Sequence, residues 1–156
     1  MTIDPDAHEP RPLGEMPDLR ERYPPMERGR EHLRRAEVYL TPHGIGHLRR
    51  QHPERLEWLS QSAELLRLVI GEPAIASRHL EFKADMGHWA VTLAAPLPGR
   101  PTAYVTVVLS LANLDGPESD FHQLITAYRA KRQDFYTAEG KLKERWIEVK
   151  QQKTGP

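Results

Sequence analysis

The stretch from Ser77 to Leu111 reads SRHLEFKADMGHWAVTLAAPLPGRPTAYVTVVLSL, and it decides the fold class. Apolar and polar residues alternate on both sides of a turn at residues 84–87, which predicts two half-buried strands. After a proline-rich loop, residues 103–111 are β-branched and apolar on both faces, which is typical of a central strand. These three segments predict consecutive, mainly antiparallel strands.

A fourth strand is predicted downstream of this stretch. Residues 113–120 form a polar segment with glycine and proline, which predicts a loop. Residues 123–131 then alternate, so that Leu124, Thr126 and Tyr128 should share one face of the strand. The sequence therefore predicts a four-stranded meander.

Helices are predicted before and after the strands. Residues 54–70 carry an apolar stripe at spacings of three and four, and Gly71 provides a stop, so we expect one helix there. Thr41 followed by proline predicts the start of a short helix that ends near residue 51. Residues 137–150 place apolar side chains on one side, and a C-terminal helix is predicted for them.

The N-terminal segment differs in composition from the rest of the chain. Residues 1–27 contain six prolines and few apolar side chains, which predicts a disordered acidic tail. One domain should then span residues 28–150, and residues 30–40 fit either a short helix or a strand at 36–40. The expected class is α+β, with N-terminal helices packed on a four-stranded, mainly antiparallel sheet and a C-terminal helix.

The composition excludes some classes of function. The chain has 156 residues and no cysteine, so disulfides and thiolate metal sites are excluded. The formal net charge is zero, although residues 1–27 carry −4 and residues 121–156 carry +4. We expect a cytoplasmic protein without a membrane span, because there is no signal-peptide pattern and the longest apolar stretch is short and interrupted.

Two short motifs carry a resemblance to a known family. The sequence has no phosphate-binding glycine loop, no H-E-x-x-H zinc motif and no G-x-S-x-G nucleophile motif, so no cofactor and no metal are expected. Residues 47–54 read HLRRQHPE and residues 124–128 read LITAY. With the predicted order of elements, these motifs resemble the phage and polymorphic-toxin nucleases of the barnase–EndoU–colicin–RelE superfamily over about residues 36–132.

The resemblance implies metal-independent cleavage of RNA by attack of the ribose 2′-hydroxyl on the adjacent phosphate. Such a reaction needs a base, an acid and a group that stabilises the charge on phosphorus. His47 matches the family's first histidine, Thr126 matches the hydroxyl of its late strand, and Tyr128 lies on the same predicted face. The cations that would bind RNA phosphates are Arg50, Lys83, Arg129 and Lys131.

Each of these residues also has a purely structural interpretation. His47 fits a packing histidine at a helix surface, Thr126 a residue that favours strands, and Tyr128 a half-buried ring. The four cations fit solvated surface charges. The expected partners are RNA and, for a toxin or phage effector, an immunity protein or antitoxin. The alternative function is a non-catalytic binding or phage accessory module on the same architecture, which the zero net charge favours.

Overall fold

A computed structural model describes residues 9–112 and 121–149 and places them around one mixed β-sheet. The sheet has eight strands. They are β1 (Arg11–Met16), β2 (Ala36–Leu40), β3 (Ile75–Ser77), β4 (Glu81–Lys83), β5 (His88–Leu97), β6 (Arg100–Ser110), β7 (Phe121–Lys131) and β8 (Trp146–Glu148). The three longest strands, β5 to β7, lie where the alternation of apolar and polar residues predicted strands.

The strand order is β1-β2-β7-β6-β5-β3-β8, with β4 pairing with the other end of β5. The pair β2–β7 is parallel, and the other described pairs are antiparallel. The predicted class of a four-stranded sheet between N-terminal helices and a C-terminal helix is therefore wrong. The sheet is extended by β1, β3 and β8, which the sequence pattern did not predict, and by β2, for which it left helix and strand open; strand precedes helix at the N-terminus.

Three helices cover one face of the sheet: α1 (Pro42–Gln51), α2 (Pro53–Ser60) and α3 (Ala63–Gly71). Helix α1 begins as predicted, because the Thr41 hydroxyl accepts a hydrogen bond of 3.0 Å from the amide of Gly44. The prediction of one helix over residues 54–70 is wrong. The hydroxyls of Ser60 and Ser62 donate to the carbonyls of residues 57 and 58, and this local bonding accompanies the break between α2 and α3.

The N-terminal segment belongs to the domain. The prediction of a disordered tail over residues 1–27 is wrong for residues 11–27, which supply an edge strand and core side chains; residues 1–8 lie outside the described residues. Prolines are compatible with an edge strand, because only one side of it must pair. Leu13, Met16, Leu19 and Tyr23 are almost fully buried.

The C-terminal segment is not the predicted helix. Residues 137–149 form turns and the short strand β8, which pairs with β3; residue 150 lies outside the described residues, as does the predicted loop at 113–120. Phe135 and Trp146 contact each other, with ring centroids 4.8 Å apart, in a small second core that includes Ile75 and Tyr104. The apolar spacing that predicted a helix is used here to cover the end of a sheet face.

A bulge in β7 decides which side chains face the helices. Leu109 pairs with Leu124, but Val108 pairs with Thr126, so Ile125 is an extra residue. Because of this extra residue, the alternation of side chains between the two sheet faces is reversed beyond Ile125. Leu124 is buried in the main core below the helices, and Thr126 faces the opposite side. The prediction that Leu124 shares a face with Thr126 is therefore wrong.

Candidate active site

The sheet face opposite the helices carries a row of polar side chains. The pairing of β5, β6 and β7 places on this face hydroxyl, amide and small side chains: Ala90, Thr92, Thr106, Val108, Ser110, Gln123, Thr126 and Tyr128. The second core around Phe135 covers one end of the face, and no described helix covers the rest. Two cavities open on this face, one of about 460 Å³ at Ser110 and Gln123 and one of about 250 Å³ at Thr92 and Val108, and we call the whole face the cleft.

Arg55 of α2 reaches this cleft. Its Nη1 lies 3.4 Å from Oγ1 of Thr126, and its guanidinium carbon lies 4.7 Å from the ring centroid of Tyr128. Helix α2 can reach across because β2 pairs with β7 only as far as Gln123, which leaves the following part of β7 without a strand on that side. The guanidinium therefore lies beside the Thr126 hydroxyl and over the Tyr128 ring at the edge of β7.

Three charged groups influence the pKa of Tyr128: Arg55, Asp134 and Arg145. Burial raises the pKa of the Tyr128 hydroxyl above its ordinary value, and the charge of Asp134 raises it further, while Arg55 and Arg145 lower it. Because the net direction is upward, the phenol stays protonated at neutral pH and can donate a hydrogen bond. Arg145 also lines a small cavity of about 250 Å³ with Thr92 and Val108 on the cleft floor.

His47 lies half-buried on the flank of α1 that approaches β7. Gly44, one turn earlier on the same flank, marks this approach, because a Cβ at Gly44 would lie 3.2 Å from the carbonyl oxygen of Leu124. The glycine therefore allows the helix to pack closely against the strand. Helix α1 packs on the side of the sheet opposite Thr126, and within the described part of the chain no hydrogen bond or ion pair joins His47 to Thr126 or Tyr128.

The structure separates the four predicted phosphate-binding cations. Lys83 in β4 pairs with His88 on the cleft side of the sheet, and its Nζ lies 3.1 Å from a carboxylate oxygen of Glu81. Arg50 is exposed on α1, and its guanidinium lies close to Gly46.

The other two cations belong to β7 on the side of the helices. Arg129 lies with its guanidinium carbon 5.7 Å from the ring centroid of Trp58 in α2. Lys131 is exposed at the last residue of the strand. The structure thus brings Lys83, but not Arg129 or Lys131, to the sheet face of Thr126.

Sequence reasoning missed Arg55 and Arg145. Arg55 is one of several charges on a helix surface, and its contact with Thr126 joins residues 71 positions apart. No local pattern identifies such a contact. Arg145 lay in the segment that was predicted as a helix, so its position beside the cleft could not be inferred.

Two features are absent from the described residues: a cluster of metal ligands and a membrane-spanning helix. Among residues 9–112 and 121–149, no group of three histidine, aspartate or glutamate side chains is placed to hold a metal ion. None of the described helices has the length and apolar content needed to cross a membrane. Comparison of the chain with protein-family models, with curated proteins and with solved structures finds no match. The function is therefore argued from the geometry of the cleft.

Proposed function

We propose that the protein is a metal-independent endoribonuclease whose active site is the cleft on the uncovered sheet face. One observation carries the proposal: the Arg55 guanidinium lies beside the Thr126 hydroxyl and over the Tyr128 ring. A planar cation with several N–H donors next to a threonine hydroxyl matches the needs of a phosphate whose negative charge increases in the transition state.

The proposed reaction is an internal transfer at phosphorus. His47, as neutral imidazole, takes the proton of the ribose 2′-hydroxyl, and the 2′-oxygen forms a bond to the adjacent phosphorus. The bond from phosphorus to the 5′-oxygen breaks, and that oxygen takes a proton, which we assign to Tyr128. The products are a 2′,3′-cyclic phosphate and a 5′-hydroxyl end. Exchange with solvent restores both side chains.

The charges of the cleft support the assignment of roles. Thr126 is almost fully buried, so its hydroxyl has a fixed position from which to donate a hydrogen bond to a phosphate oxygen. Arg145 adds a second positive charge close enough to influence Tyr128. Arg55 and Arg145 thus replace the cations proposed from sequence as the main phosphate-binding groups. Lys83 keeps a secondary role at the edge of the cleft.

The biological setting follows from the substrate. A protein that cleaves RNA acts where RNA is present, and we propose the cytoplasm, in agreement with the absence of cysteine. A toxin or phage effector of this kind would require an immunity protein or antitoxin. A non-catalytic binding module on the same architecture would bind RNA without changing it.

The chemistry of the products tests the proposal. A labelled single-stranded RNA and its all-deoxy equivalent are incubated with the full chain in the presence of a chelator, and the ends of the products are identified by mass spectrometry. We expect cleavage of the RNA alone, with 2′,3′-cyclic phosphate and 5′-hydroxyl ends, because the 2′-hydroxyl is the nucleophile.

Three results would contradict the proposal: cleavage of the deoxy strand, 5′-phosphate ends, or an intact RNA strand. An RNA that is bound but stays intact would instead support the non-catalytic module.

A further inference from the structure

A second cavity, of about 460 Å³, lies on the same sheet face at the end near the start of α1. Its lining combines imidazole, hydroxyl, amide and carboxylate groups, from Thr41, His43, Asp85, His88, Ser110 and Gln123. A volume of this size is within the range of small-ligand sites. The mixed lining offers both donors and acceptors of hydrogen bonds.

Ser110 indicates that the cavity is built for a polar ligand. Only 2% of this residue is exposed, and its Oγ has no hydrogen-bond partner in the described part of the chain. A buried hydroxyl without a partner destabilises a protein. Ser110 lies between Ala90 and Gln123 in the register of the sheet, so its side chain points to the cleft face. A polar atom of a ligand in the cavity would satisfy it.

The other lining groups favour a nucleobase over a second phosphate. The Asp85 carboxylate repels anions and accepts hydrogen bonds from N–H groups. The ring of His88 is held by a 3.0 Å hydrogen bond between its Nδ1 and the carbonyl of Leu111, which gives a planar wall in a fixed orientation. Planar side chains stack with bases, and amide and hydroxyl groups bind base edges.

The position of the cavity relative to Thr126 fits one nucleotide. Ser110 pairs with Gln123, and Val108, two residues away on β6, pairs with Thr126. Two residues of a strand span roughly 7 Å. A base in the cavity and a phosphate at Thr126 and Arg55 can therefore belong to the same nucleotide, joined by its sugar.

We propose that this cavity holds the base of the nucleotide whose 2′-hydroxyl attacks, and that Asp85 selects bases with a ring N–H donor, guanine and uracil. Adenine and cytosine have no ring N–H on the edge that pairs with other bases, so they cannot donate from the ring to the carboxylate. The assignment of the base to this nucleotide rests on the proposed function.

Binding of mononucleotides tests the inference without requiring cleavage. The full chain is titrated with the 3′-monophosphates of guanosine, uridine, adenosine and cytidine by calorimetry. We expect the guanosine and uridine compounds to bind about tenfold more tightly than the other two, the value of one charged hydrogen bond. Asp85→Asn should remove most of this preference, because an amide both donates and accepts. Glu57→Gln, an exposed change on α2, is the matched control and should leave it intact.

The Ser110→Ala variant distinguishes a ligand site from a cavity that holds only water. We expect this variant to bind the preferred nucleotides more weakly and to have an unchanged or higher melting temperature, because its hydroxyl has no partner to lose among the described residues. Four nucleotides bound equally, a preference that survives Asp85→Asn, or no saturable binding would each overturn the inference.

The phosphate part of the proposed function is tested separately in the same titrations. Arg55→Ala should weaken the binding of all four nucleotides by a similar factor and leave the base preference unchanged. If a base preference is found but Arg55→Ala does not weaken nucleotide binding, the proposed phosphate site is wrong and the base site is retained. If Arg55→Ala weakens the binding of all four nucleotides equally but no base preference is found, the base site is wrong and the phosphate site is retained.

Discussion

The buried histidine His122 should make the stability of the fold depend strongly on pH. It is fully buried, its Nδ1 accepts a 2.8 Å hydrogen bond from the amide of Ala112, and its Nε2 therefore carries the proton and donates to the carbonyl of Arg34 at 2.9 Å. Burial lowers the pKa of His122 to about 4, the charges of Arg34 and His32 also lower it, and the bond to the Arg34 carbonyl opposes them.

The sign and the size of the effect follow from this pKa. The unfolded chain binds a proton at His122 below its ordinary pKa of about 6.5, whereas the folded chain resists protonation until about pH 4. The free energy of unfolding should therefore fall as the pH falls through this window. A difference of about 2.5 pKa units corresponds to about 3 kcal/mol lost between pH 7 and pH 4.

The assay compares two unfolding curves. Urea unfolding of the wild type and of His122→Gln is measured at intervals from pH 7 to pH 4. Glutamine cannot titrate, so other groups contribute equally to both proteins and cancel in the difference. We expect the stability of the wild type to fall by about 3 kcal/mol more than that of the variant. Parallel curves, or a His122 pKa near 6.5 measured by NMR in the folded protein, would refute the reasoning.

Two pairs of substitutions and one single substitution test the packing. Leu124→Ala should cost about 2–5 kcal/mol and Ile125→Ala clearly less, because the bulge buries the first side chain fully and the second partly; equal losses in urea unfolding would contradict the bulge. Gly29→Ala should lower the melting temperature more than Gly140→Ala. Both glycines have positive φ, but only a Cβ at Gly29 would lie 2.5 Å from the indole ring of Trp89. Equal shifts of the melting temperature by calorimetry would contradict this. Met16→Ala should cost about 2–5 kcal/mol by urea unfolding, whereas a disordered N-terminal segment would show no change.

The long strands could be predicted from the sequence because their patterns extend over many residues: β5 and β7 alternate, and β6 is β-branched and apolar on both faces. Strands β5, β6 and β7 each have ten or eleven residues. Strand β4 was predicted from the alternation before the turn at residues 84–87, but β3 and β8 have three residues each, too few to show a periodic pattern. Tertiary pairing, not local sequence, determines them.

The predictions for the two ends of the chain were wrong for different physical reasons. At the N-terminus, the prediction counted prolines as obstacles, although an edge strand tolerates them and Leu13 and Met16 bury apolar area there. At the C-terminus, the apolar residues are spaced as in a helix, but the segment forms turns and the short strand β8, and these side chains pack on the sheet. Spacing alone does not exclude an irregular segment that covers a core.

Of the candidate site, the sequence predicted correctly that Thr126 and Tyr128 share one strand face. Thr126 and Tyr128 lie together on the cleft face, whereas His47 lies on α1, which packs on the other face of the sheet. Their roles remain predictions. The guanidinium that completes the arrangement, from Arg55, comes from α2, and no sequence signal connects it to Thr126. The bulge at Ile125 also escaped prediction, because an inserted residue does not change the composition of a strand.

The rate of RNA cleavage by single-residue variants tests the central claim most directly. The wild type, His47→Ala and Arg55→Ala are assayed on one RNA in the presence of a chelator, with His52→Ala and Arg100→Ala as solvent-accessible histidine and arginine controls purified in the same way. We predict that the first two variants lose about a hundredfold or more in rate and that both controls retain the rate of the wild type. Equal rates for all five proteins would contradict the assignment of the cleft as the site of cleavage.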